Sequence, residues 1–134
     1  MDYTFFIQLI LSILLGGIVG WQRAHIGKAA GSRTYSLVCM GSMLFTLLSL
    51  YGFGEGDSSR VAAQIITGIG FIGAGTILHK KDSVEGLTTA AGLWAIAAIG
   101  MAIGVEWFLE AIIATFIMFL VLLIDERKFG ARQW

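Results

Sequence analysis

The chain has 134 residues, of which 57% are hydrophobic and 13% charged, with 18 glycines, no proline, one cysteine and a formal net charge of zero. An ordinary soluble domain carries about a quarter charged residues, so this balance, with a mean hydropathy of +0.82, points to a single domain inserted in a bilayer. No basic surface suits nucleic acid, and the lone Cys39 excludes a disulfide framework.

The first residues, MDYTFF, lack the positive region of a secretory signal, so the first apolar segment is expected to stay in the mature protein. Apolar runs long enough to cross hydrocarbon as helices lie at about 4–22, 34–53, 61–78, 87–104 and 107–124. The turn near Gly104 to Glu106 is the weakest boundary, because 87–124 also fits one kinked span with a re-entrant piece. The predicted fold class is thus an all-α integral membrane bundle of five transmembrane helices. With the N-terminus outside and the C-terminus cytoplasmic, Arg23, Lys28, Arg33, Lys80, Lys81, Arg127, Lys128 and Arg132 all fall inside, and Arg60 alone falls outside. Asp2, Asp57 and Glu106 then stand at helix N-termini, where the macrodipole favours negative charge.

The first helix carries Gln8, Ser12, Gly16 and Arg23 within about 80° of one another. In the third, Asp57, Arg60, Gln64, Thr67, Gly68, Phe71 and Gly75 share an arc of about 100°. Polar stripes in lipid leave donors and acceptors unpaired, so these two are expected to face each other or a wet cavity. Interhelical hydrogen bonding is the plainer reading of that meeting, and a polar site for a solute or ion is the sharper one. Asp57 at i−3 is the obvious partner for Arg60.

Gly68, Gly70 and Gly73 spell G-x-G-x-x-G, but a dinucleotide fingerprint needs a preceding strand and a soluble βαβ unit, and here the glycines sit in a predicted span. Together with Gly75, with the G-x-x-x-G pairs Gly16/Gly20 and Gly100/Gly104, and with Ala91/Ala95, they read as close helix packing within the chain or across a homodimer. The second and fourth helices begin at the cytoplasmic face at Thr34 and at Thr88 or Thr89, with Arg23, Lys28 and Arg33 around them and Gly31 and Gly86 allowing tight turns. Helix N-termini beside arginine attract anions. Lipid phosphate is the first candidate there, followed by salt bridges to Asp82 or Glu85 and then by a specific solute or nucleotide. On the outer side Glu55, Asp57, Glu106 and Glu110 are either solvated loop acids or an oxygen site for a hard cation such as Mg²⁺. His25 and His79 lack metal-ligand spacing, and no nucleophile–base pair or carboxylate dyad can be argued, so no enzyme and no resident cofactor are expected.

Four motifs in order carry a family likeness: Gly16, Gly20 and Arg23; KAAGSRTYSLV; DSSRVAAQIITGIGFIGAGTI; and VEGLTTAAGLWAIAAIGMAIG. Over about residues 5–124 the chain resembles the MgtC/SapB family of bacterial inner-membrane proteins. The resemblance implies a five-helix domain in the cytoplasmic membrane. It also implies adaptation to magnesium limitation and, in pathogens, survival inside host cells. Binding or regulating other membrane proteins and transporting magnesium or another ion are the two modes it leaves open. The positions it marks are Arg23, Lys28, Gly31, Arg33, Thr34, Asp57, Arg60, Gln64, Gly68, Gly70, Gly73, Gly75, Gly86, Thr88, Thr89 and Trp94. Longer members carry a soluble cytoplasmic domain after the last helix, and none is expected within these 134 residues.

Overall fold

The computed structural model describes residues 3–54, 57, 59–81 and 83–124. Asp2, Glu55, Asp82, Arg127, Lys128 and Arg132 lie outside them. Five helices follow one another: α1 (Tyr3–His25), α2 (Ser32–Tyr51), α3 (Arg60–Ala74), α4 (Leu87–Gly104) and α5 (Phe108–Leu123). Between α3 and α4 a short antiparallel hairpin pairs β1 (Leu78–Lys80) with β2 (Ser83–Glu85), placing His79 opposite Val84. Three helices, α1, α2 and α4, are long and apolar enough to cross a membrane by length and composition, whereas α3 and α5 are shorter apolar helices.

Each helix ends where backbone chemistry dictates. At the end of α1 the Gly27 amide donates to the Ala24 carbonyl and the Lys28 amide to the Arg23 carbonyl, both at 3.0 Å, with Gly27 at φ +71°. That is a Schellman closure. The same closure ends α4, where Glu106 and Trp107 donate to Ile103 and Ala102. Here Glu106, not a glycine, takes the left-handed position at φ 65°. This closure separates α4 from α5, so 87–124 holds two helices and not one continuous kinked helix. The third helix stops at Ala74, short of the expected residue 78, because Thr76 and Ile77 turn back to donate to the Gly73 and Ala74 carbonyls. The backbone from Leu78 onwards then joins the hairpin. Gly86, which opens α4 at φ +90°, has the Thr76 carbonyl against its backbone, so no side chain fits there.

The helices run alternately up and down, with α2 and α4 at the centre. α2 packs mainly on α1 and α4, α3 lies against α4 and α2, and α5 lies against α4 with a lesser contact to α1. Tyr35, Cys39 and Met43 of α2 fill the core with Leu93, Ile96 and Ile103 of α4 and Val19 of α1. Glycines set these approaches. A Cβ on Gly16 would lie 2.6 Å from the Tyr35 carbonyl oxygen, and one on Gly20 the same distance from that of Gly31. On α4, Gly100 abuts the Cys39 carbonyl and Gly104 the Thr46 side chain. Backbones this close gain dispersion contacts that larger residues would forbid. Around the bundle, large apolar side chains such as Ile10, Ile18, Leu37, Phe45, Ile113, Phe116 and Ile117 stand exposed, far more apolar surface than a water-soluble fold leaves open.

Candidate functional site

Four polar residues of α1, Gln8, Ser12, Gln22 and Arg23, are buried inside the bundle. Gln8 is 2% exposed, and its amide donates to the Ile103 and Gly104 carbonyls at 3.1 and 3.2 Å. It thereby satisfies acceptors at the open C-terminal end of α4. Ser12, fully buried, donates to the Leu9 carbonyl one turn back. At the other end of α1 the Gln22 amide reaches the Leu122 carbonyl of α5 at 3.2 Å.

Arg23 is also buried, at 2% exposure, and one guanidinium nitrogen donates to the Thr89 hydroxyl at 3.3 Å. Thr89 is thereby drawn to α1 rather than to the free amides of its own helix start, and Gly86 gives α4 no side-chain cap. The Tyr35 hydroxyl lies beside the guanidinium without reaching hydrogen-bond geometry. The Arg23 Nε, the Tyr35 hydroxyl and the Gln22 Oε1 are all buried without a partner. Among the described residues the one ion pair is Lys80 with Glu85, at 2.6 Å on the exposed hairpin, so Arg23 has no carboxylate against it there. This knot joins α1, α2 and α4 at one end of the bundle. The sequence marked Arg23 and Thr89 but missed Gln22 and Tyr35, whose polarity in otherwise apolar helices was the available signal.

The remaining residues expected to contact an anion do not converge on Arg23. Arg33 and Thr34, with Gly31 and Ser32, line an open cleft of about 350 Å³ at the uncapped start of α2. Lys28 and Thr88 are exposed, the latter at the start of α4.

The expectation that the stripes of α1 and α3 face each other is corrected by the packing. Gln8 and Ser12 turn into the bundle, and α3 lies against α4 and α2. On α3 the buried residues are Ile69 and Gly73, with a Cβ on Gly73 at 3.5 Å from that of Ala90. At 100° per residue the centre of Gln64, Thr67 and Phe71 lies about 170° around the helix from that buried edge. Arg60, Gln64, Thr67, Gly68 and Phe71 are accordingly exposed, Phe71 to 85%. Gly68 and Gly70 have nothing within 4 Å of where a Cβ would stand, and Gly75 meets only carbonyls of its own helix. The physical reason is that α3 needs its aliphatic edge, Ile65, Ile69 and Gly73, to seat on α4, which leaves the polar arc outward. Beside it, Ile65, Ile66, Ile69, Trp94, Ala97, Ala98 and Met101 line a shallow apolar groove of about 90 Å³ between α3 and α4.

Asp57 works locally instead of pairing with Arg60. Its Oδ1 accepts from the Ser59 hydroxyl at 2.6 Å and from the Ser59 amide at 2.9 Å. These two bonds hold its carboxyl below the usual carboxylate range, with the nearby Arg60 charge a smaller influence. The first turn of α3 gains a second anchor from Ser49 of α2, whose hydroxyl accepts from the Ala62 amide at 3.2 Å. Glu106 sits in the α4–α5 turn and Glu110 in the first turn of α5. Among the described residues no three His, Cys, Asp or Glu side chains gather closely enough to hold a metal ion.

Comparison with known proteins bears on this arrangement. The MgtC family model matches residues 9–128, almost the whole helical region. The chain belongs to the MgtC family. It is similar to an Escherichia coli K12 protein named "Putative magnesium transporter YhiD", with 49% identity over 78% of this chain and 52% of that one. It is similar to Protein MgtC of Brucella abortus at 43% identity, over 78% of this chain and 44% of the other. Protein MgtC of Salmonella typhimurium is 40% identical over 87% of this chain and 50% of its own length. The chain thus spans about half the length of the curated relatives it matches. No solved structure matches it. Family membership together with the apolar helices makes this a membrane protein.

Proposed function

We propose that this MgtC-family chain is a non-catalytic protein of the bacterial cytoplasmic membrane that binds and regulates membrane partners during adaptation to magnesium limitation, in pathogens also during life inside host cells. In this reading all five helices cross the bilayer, with the N-terminus outside and the C-terminus in the cytoplasm. At about 1.5 Å per residue the shorter α3 and α5 cross by local thinning or by apolar flanks such as Ile124. The cleft at Gly31–Thr34, with Lys28 and Thr88 near the same face, meets lipid phosphates.

One observation carries the proposal. The Arg60, Gln64 and Thr67 stripe of α3 points away from its own bundle, where hydrocarbon leaves an amide and a hydroxyl without partners. A protein surface that meets the stripe removes that penalty. The test is complementation of a deletion strain in low-magnesium medium by the double variant Gln64→Leu, Thr67→Val. The expected result is loss of growth support with unchanged membrane abundance; full complementation would contradict the reading.

A second reading is favoured by the same stripe and by the name of the Escherichia coli relative: transport of Mg²⁺ or another ion along α3, with Mg²⁺ as cargo. Because the stripe is open on one side, such a path needs a second wall. Reconstituted vesicles loaded with a Mg²⁺ indicator test it; absence of flux, or flux unchanged in Gln64→Ala, removes it.

A further inference from the structure

The outward face of α3 carries a set of groups that matches itself. Gln64 holds both donors and an acceptor, Thr67 a hydroxyl that both donates and accepts, and Asp57 and Arg60 opposite charges one turn apart at one end. Among the described residues Arg60 has no ion pair, and neither Gln64 nor Thr67 makes a side-chain hydrogen bond. Gly68, open to at least 4 Å, leaves room for a backbone to come close. Phe71, 85% exposed, adds an aromatic surface one turn from Thr67 on the same arc.

We propose that a second copy of this chain covers this face, the two α3 helices meeting about a two-fold axis along the membrane normal. A two-fold contact is isologous, so each group meets the same set on the other copy. Gln64 amides pair with each other across the axis, Arg60 of each copy approaches Asp57 of the other, and the Gly68 edge admits the opposing Phe71. A lipid contact satisfies neither the Gln64 amide nor the Thr67 hydroxyl in the hydrocarbon, and a foreign helix would have to reproduce the whole complementary set. The inference rests on the partner-binding reading and names the partner.

Full-length single-cysteine variants Thr67→Cys and Phe71→Cys, oxidised in native membranes with copper phenanthroline, test it. Ile10→Cys on α1 and Ile117→Cys on α5 serve as exposed controls, and the unaltered chain reports any background from the buried Cys39. The expected result is a cross-linked species of twice the chain mass from the two α3 variants and from neither control. Adding Gln64→Leu, which alters an exposed residue and so spares the fold, is expected to weaken association in vesicles about tenfold. Equal cross-linking at Ile117, or no doubled species at Thr67 and Phe71, overturns the proposal. Cross-linking of the α3 variants only to a protein of different mass overturns the second copy while leaving partner binding in place. Free reaction of Thr67→Cys with a lipid-soluble maleimide, without any cross-link, removes both.

Discussion

Gln8 and Gln64 are the same residue type in apolar helices with opposite fates. Gln8 closes the carbonyl end of α4, and replacing it by Leu leaves the Gly104 carbonyl without that donor in a dry interior, while the Ile103 carbonyl keeps the Glu106 amide. The expected cost is roughly 1–2 kcal/mol, read as a lowered denaturation midpoint in detergent. Arg23 and Thr89 act as one unit, so Arg23→Ala, Thr89→Val and the double variant are expected to be non-additive by about 1 kcal/mol in a double-mutant cycle. Glu106 sits in a left-handed conformation that side chains resist, so Glu106→Gly is expected to stabilise the chain by about 0.5–1 kcal/mol in the same unfolding assay. For Asp57 the carboxyl of the folded chain is shifted down, so its help to the first turn of α3 is present above the ordinary carboxylate range. It is lost as pH falls through the lowered value. Hydrogen-exchange protection of the Arg60 to Ala62 amides is expected to drop at acid pH, and Asp57→Asn is expected to flatten that dependence.

At the scale of elements, the helices are legible because apolar runs separated by charged or glycine-rich connections mark them directly. Boundaries at α4 and α5 fall where the hydropathy pattern put them. α3 ended early because Gly75 and Thr76 close a turn and the HKKDSVEG segment pairs with itself, a non-apolar event that hydropathy does not register. Packing glycines behave unevenly for a reason the sequence does not state. Gly100 touches the Cys39 carbonyl, whereas Gly41 has open space around it. Gly100→Ala is therefore expected to cost about 1–3 kcal/mol through forced separation of α2 and α4. Gly41→Ala is expected to be neutral or to gain up to about 1 kcal/mol through helix propensity. Unfolding midpoints of the two variants check the contrast.

For the whole molecule, periodicity shows which residues share a face but not which neighbour that face meets. Gln8, Ser12 and Arg23 did form one stripe, and it turned into the bundle; Gln64 and Thr67 formed another, and it turned out. Pairing the two was reasonable from polarity alone. It failed because α3 seats on α4 through Ile65, Ile69 and Gly73, while α1 reaches α4 through Gln8 and α5 through Gln22. The polar set of α3 thus lies on a surface of one chain and not in a cavity within it, and the proposed function has protein cover that surface.

A nitroxide on Thr67→Cys in the full chain, reconstituted in bilayers, addresses that claim directly through its collision rate with dissolved oxygen. Oxygen accessibility well below that of the same label at the exposed Ile117→Cys is expected, as at a protein contact. Equal accessibility at the two positions would show that α3 presents its amide and hydroxyl to lipid, and would contradict that claim.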